Sequence, residues 1–178
     1  MNTASTFPTL LEAFFMDRLL RQRQVSPHTL ASYRDTFRVL LQYAQQHLGK
    51  APSLLTLPDL DTPFLGAFLD HLEQDRKWKH MLIVVTYDEY GGFWDHVPPP
   101  KGDRWGPGLR VPAIIVSPFA KRGYVDHTQY DTTSIARFLT HRFNLPTLPG
   151  IAARDAALKG NGSKPMSDLT QALSFSSR

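Results

Sequence analysis

A change of period near Arg76 constrains this chain more than any other feature. Upstream of it, apolar residues recur at steps of three and four, the spacing of amphipathic helices. Leu10, Leu11, Phe14, Met16 and Leu19 form one such face, and Leu30, Tyr33, Phe37, Leu40, Leu41, Ala44 and Leu48 form a second. Ser26 is a good N-cap with Pro27 at the first helical position, and Gly49 is placed to end this second helix. The connector APSLLTLPDLD leads to a third helix, opened by Asp61 and Pro63, with Phe64, Leu65, Phe68, Leu69 and Leu72 inside. Downstream the pattern is different. MLIVVTY and VPAIIVS are short apolar runs bounded by glycine and proline, as buried strands are. A helix from about Asp131 to Phe143 is expected to turn Ile135, Phe138 and Leu139 inward, and the residues from Pro146 onward read as mostly irregular and mobile. The expected domains are residues 1–76 and 77–178, with the seam near Arg76–Trp78 and the fold class α joined to α/β.

A length of 178 residues suffices for one domain or two small ones. The net charge of +4 is unevenly spread: residues 1–76 hold seven basic and eight acidic side chains, so the remainder carries +5. Overall basicity therefore says nothing about nucleic-acid binding by the first part, which has to rest on where its arginines sit. The absence of cysteine excludes disulfides and thiolate metal sites. No apolar run reaches transmembrane length. The N-terminus has no basic n-region and carries Glu12 and Asp17 within its apolar part, so a cytoplasmic location is expected.

Two stretches carry candidate chemistry. In LIVVTYDEYGGFWDHVPPP a strand would deliver Asp88 and Glu89 to the carboxyl edge of a sheet, where open α/β sites lie. Adjacent carboxylates offer hard oxygen ligands to a divalent cation, which would polarise a phosphoryl group and activate a nucleophile. Gly91 and Gly92 allow a tight turn beside them. Asp95 and His96 would border the same site, His96 as an acid or as a partner to a metal ligand. The simpler alternatives are that Asp88 and Glu89 cap a strand–loop junction and that His96 is a hydrogen-bonded structural residue. Arg110, Lys121 and Arg122 read as surface or structural charges. In the first part, Ser26, His28 and Thr29 lie at a helix N-terminus, where free N–H groups and the dipole favour a phosphate. Arg34 and Arg38, four apart, leave one face of the same helix. Such contacts would position duplex DNA without reading its sequence; the alternative is that these arginines solvate a bundle surface.

The segment SPHTLASYRDTFRVLLQYA, with LTLPDLDTPFLGAFLDHL after it, resembles the N-terminal, SAM-like core-binding domain of tyrosine recombinases (phage integrases) over residues 5–76. That resemblance implies an all-α SAM-like bundle that clamps duplex DNA through phosphate contacts. Recombinase chemistry resides in a second domain, with a nucleophilic tyrosine and an arginine–histidine set. Nothing after Arg76 resembles that domain, so a competent recombinase is not expected.

The second part carries TYDEYGGFWDHVPPP, GLRVPAIIVSPFAKRGYVDHTQYD and DLTQALSF in that order. It resembles the C-terminal part of the bacterial phosphoesterase family, the phospholipases C and acid phosphatases, over residues 78–175. The resemblance implies a truncated α/β fragment of an alkaline-phosphatase-like fold, built on parallel strands. It also implies Asp88 and Glu89 as metal and catalytic residues, a divalent metal ion, and phosphate-ester substrates. The family's glutamate–asparagine metal motif and its serine or threonine nucleophile come from earlier in its chain and have no match in residues 1–76.

The expectation is a fusion whose surviving activity is weak, nonspecific duplex binding, the hydrolase part being catalytically incomplete. An in-frame joining of a mobile-element reading frame to the end of a phosphoesterase gene is the simplest origin. Two alternatives stand beside it: a working phosphoesterase whose missing half-site is supplied in trans, and a product with no function. Strands removed from a large sheet leave edges and apolar faces uncovered, which predicts marginal stability in the second part.

Overall fold

A computed structural model describes residues 6–175. The chain divides between Arg76 and Lys77 into two compact units.

The first unit is helical throughout. Helix α1, Phe7–Ala13, runs directly into a wider π-helical segment, Phe14–Gln22. Leu19 is buried, whereas Leu10 in α1 and Met16 in the π-helical segment, expected on the same face, are exposed. Helix α2, Pro27–Leu48, begins where the Ser26 hydroxyl accepts a hydrogen bond from the Thr29 N–H at 3.2 Å. It ends at Gly49, whose φ of +64° is the left-handed conformation that closes helices. Short 3-10 turns at Pro52–Leu54 and Leu57–Leu60 lead to helix α3, Thr62–Glu73, capped by Asp61 on the Phe64 N–H at 2.9 Å. The core consists of Phe7, Tyr43, Ala44, Leu55 and Phe64, with Phe37, Leu40, Leu41, Leu48 and Phe68 packed against it. Tyr43 rather than Tyr33 fills this core; its ring stacks on His47 and lies against Phe64, Phe68 and His71. Leu65, expected inside, is exposed. The Phe7 N–H donates to the Leu55 carbonyl at 3.1 Å, fastening the start of α1 to the connector.

The second unit contains strands β1, Ile83–Thr86, and β2, Ala113–Val116, joined through residues 87–112. They pair antiparallel, Ile83 opposite Val116 and Thr86 opposite Ala113. The expected parallel arrangement is therefore not found among the described residues: a parallel pair needs a crossover layer between its strands, and residues 87–112 form only loop and turns. Helix α4, Thr132–Phe143, and helix α5, Pro149–Gly160, follow. Burial in this unit lies in α4, α5 and the last segment: Ser134, Ile151, Leu158, Met166, Leu169, Ala172 and Leu173.

Two expectations fail here. Among the described residues after Pro146 the chain is not mostly irregular: Pro149 starts an alanine-rich helix whose Ile151 and Leu158, seven apart, bury one stripe. The inner face of α4 is also not the expected apolar one. Ile135 and Leu139 are exposed, while Ser134 is buried and Arg137 is turned onto Asp155 of α5. The C-terminal segment is stitched to the chain after β2 by Lys121 N–H to the Ala172 carbonyl at 3.0 Å and Ser174 N–H to the Phe119 carbonyl at 2.8 Å.

Leu55 is fully buried. Leu55→Ala is expected to destabilise the first unit by about 2–5 kcal/mol, measured as a lower denaturant midpoint of the helical circular dichroism. Trypsin is expected to cut first in the exposed turn at Arg76–Lys77, and N-terminal sequencing of the fragments checks this.

Candidate functional site

Asp88 and Glu89 lie just past the end of β1, in a bend. The turn that follows needs its glycines: Gly91 and Gly92 adopt φ of +61° and +80°, which side chains with a Cβ rarely tolerate. Both carboxylates face solvent, and no hydrogen bond or ion pair of the described residues engages either one. Asp95 is held differently. Arg110 donates to both of its oxygens, at 2.6 and 2.9 Å, and the Val97 N–H donates to it at 3.1 Å. The Arg110 hydrogen bonds, then the Val97 N–H, hold the Asp95 carboxyl well below the usual carboxylate range, and the same pairing raises Arg110. Arg110 is thus a structural charge. His96 is largely exposed, its Nδ1 3.4 Å from Asp95 Oδ1.

A divalent metal does not fit this arrangement as it stands. Asp88 and Glu89 supply two oxygen-bearing side chains, and Asp95 is committed to Arg110. Among the described residues, no three histidine, aspartate or glutamate side chains converge into a set that could hold an ion. Two solvated carboxylates can attract a cation but fix neither its coordination nor a substrate against it.

The first unit places the other candidates on α2. Ser26 Oγ is used in capping and lies 3.0 Å from Thr29 Oγ1. His28 and Thr29, with Ser32, Tyr33 and Thr36, line a shallow groove of about 350 Å³. Arg34 and Arg38 are exposed; Arg34 pairs with Asp35 at 3.1 Å. The 3.6-residue period puts these two arginines on the side of the helix axis opposite the groove. The candidate phosphate contacts therefore form two sets, not one.

Sequence reasoning missed a polar cluster in the second unit. Arg154 of α5 is almost buried, with Nη1 3.4 Å from Asp131 and Nε 2.9 Å from Asp103, the latter out of line for a hydrogen bond. Asp131 also caps α4, accepting from the Thr133 N–H at 2.8 Å. Burial alone would raise Asp126, but the Thr128 and Tyr130 hydroxyls and the Thr128 N–H outweigh it and lower its pKa. Asp131 had a readable signal, as an N-cap before TTSIARF; the Arg154 contacts are distant pairings.

Comparison with known proteins finds two family matches along the chain. Residues 13–81 match the phage integrase N-terminal SAM-like domain, and residues 60–146 match the phosphoesterase family. The chain thus carries one stretch similar to each of these two families. The matches overlap over residues 60–81, across α3 and the turn after it. A putative integrase/recombinase of Sinorhizobium fredii, y4rC, is 52% identical over 73 residues, 41% of this chain and 22% of that protein. A second from the same organism, y4rD, is 35% identical over 123 residues, 69% of this chain and 42% of that protein. That alignment is longer than the first unit and so continues past Arg76. Non-specific phospholipase C1 of Arabidopsis thaliana is 34% identical over 108 residues, 46% of this chain and 20% of that protein. The chain spans less than half the length of each of these relatives. No helix among the described residues is long and apolar enough to cross a membrane.

Because the folded pKa of Asp95 lies below its unfolded value, the Asp95–Arg110 clamp contributes fully above the ordinary carboxylate pKa of about 4 and is lost as pH falls through the folded value. Asp95→Asn is expected to speed amide exchange in residues 88–97 at neutral pH, with α4 and α5 unchanged. Expressed as protection relative to the intrinsic exchange rate, the parent chain should lose the same protection only in strong acid, well below the ordinary carboxylate range.

Proposed function

We propose that the chain is a fusion of a recombinase DNA-binding module with a phosphoesterase segment, and that the first acts alone, as a weak, sequence-independent binder of duplex DNA. The second segment derives from a hydrolase of phosphate esters, a phospholipase C or acid phosphatase, and is catalytically incomplete. The observation that carries this reading is the isolation of Asp88 and Glu89: exposed, unpartnered and without further ligands.

Phosphoryl transfer needs a nucleophile held in line with phosphorus and donors aimed at the charge that develops. The carboxylate pair supplies neither, and no motif in residues 1–76 resembles the family's nucleophile or its glutamate–asparagine metal motif. The match of residues 13–81 to the integrase module supports DNA as the partner of the first unit. The phosphate contacts are assigned to Ser26, His28 and Thr29 at the start of α2 and to Arg34 and Arg38 further along it.

The full chain is expected to bind duplex DNA at about micromolar strength or weaker in low salt, with affinity falling steeply as salt rises. Arg34→Ala with Arg38→Ala should weaken binding to every sequence and flatten the log–log salt slope by about 2. His28→Ala with Thr29→Ala tests the groove side separately. An unchanged salt slope in both double variants overturns the assignment of these contacts. With aryl phosphates or phosphorylcholine esters, turnover should not exceed a metal-only control. Turnover abolished by Asp88→Asn overturns the claim of incompleteness.

A further inference from the structure

The two strands contradict their own composition. Ile83–Thr86 and Ala113–Val116 carry isoleucine, valine or alanine at every position but Thr86. Apolar runs without polar alternation belong to strands covered on both faces. Here none of these residues is buried.

Exposure does not alternate between faces; it changes along the ribbon. Ile83, Val84, Ile115 and Val116 are half-buried, whereas Val85, Thr86, Ala113 and Ile114 are exposed. At the end that leads to Asp88, both faces are therefore open. Val85 and Ile114, cross-strand neighbours, are 44% and 62% exposed. Among the described residues neither strand has a second neighbour, so each outer edge presents N–H and C=O groups that no other strand pairs. Just beyond the double-glycine turn, Phe93 and Trp94 are each 81% exposed. This open end adjoins, in sequence, the carboxylate pair that lacks further ligands.

We propose that this ribbon end is a docking surface for the portion of a phosphoesterase that the segment lacks, supplied by a second polypeptide. The proposal rests on the family reading above. The aligned segment is about a fifth of phospholipase C1, so such a relative carries some four-fifths of its length outside the match. A chain of that size can offer what the ribbon end lacks at once: neighbouring strands for two edges, apolar cover for two faces, and further ligands beside Asp88 and Glu89. A second copy of this chain fits less well, because edge pairing would extend the ribbon without covering either face.

The test co-expresses the full chain with a tagged phospholipase C portion that ends before the matched segment, beside a control in which that portion is co-expressed with its own matched segment and forms a complex. A 1:1 complex is expected on gel filtration, with a blue-shifted tryptophan emission as Trp94 leaves water. Ile114→Lys with Trp94→Asp should weaken the complex about tenfold or more. Both positions are exposed, so the variant's helical circular dichroism should match the parent and exclude misfolding as the cause. Absence of a complex overturns the proposal, as does a complex that the double variant leaves intact. The same emission shift on self-association of the chain alone also overturns it, giving the surface to a second copy. Turnover by the chain alone overturns the reading beneath the proposal, a result distinct from failed docking.

Discussion

A β-strand has four sides to satisfy: two edges that carry hydrogen-bonding groups and two faces that carry side chains. In the second unit that requirement is met on one edge only, where β1 and β2 pair. Everything else about this unit follows from the shortfall. The apolar runs stay out of the core, the loop after β1 is tethered by the Asp95–Arg110 clamp, and burial moves to α4, α5 and the C-terminal segment. Four-residue strands alone are marginal in water, so the ribbon depends on tethers such as the Ser117 hydroxyl on the Met81 carbonyl at 2.8 Å.

The first unit shows the opposite balance. Its helices satisfy their own backbones, and their apolar stripes meet around Tyr43, Leu55 and Phe64. Caps at Ser26 and Asp61 and the left-handed Gly49 set the ends of α2 and α3 locally. A module of this kind can be moved between chains because none of its helices borrows a hydrogen bond from a larger sheet. A piece of a sheet cannot, and this physical difference separates a segment expected to keep its binding role from one expected to lose its catalysis.

Polar contacts take on much of the organisation that the strands cannot supply. Arg154 reaches Asp103 and Asp131, Arg137 grips Asp155, and His141 Nδ1 lies 2.7 Å from Asp168. Such pairs fix geometry more than they add stability, since bringing charges out of water offsets much of their attraction. The carboxylates with catalytic precedent in the sequence pattern, Asp88 and Glu89, belong to none of these pairs.

What the sequence determined by itself was whatever depends on near neighbours. The span of α2 follows from Ser26, Pro27 and Gly49, the opening of α3 from Asp61 and Pro63, the tight turn after Glu89 from two glycines, and the change of architecture at Arg76 from the change of period. The two-family character was legible in contiguous motifs. Only the tertiary structure decided which residues of each element are buried. Tyr43 displaced Tyr33 because α3 arrives on its side, and Met16, within the π-helical segment, faces outward. Arg137 took the inner face of α4 because its partner, Asp155, lies on α5. The antiparallel pairing and the Asp95–Arg110 clamp were equally hidden. Each is a contact between residues distant in sequence, and local propensity carries no information about where a distant partner will come to rest.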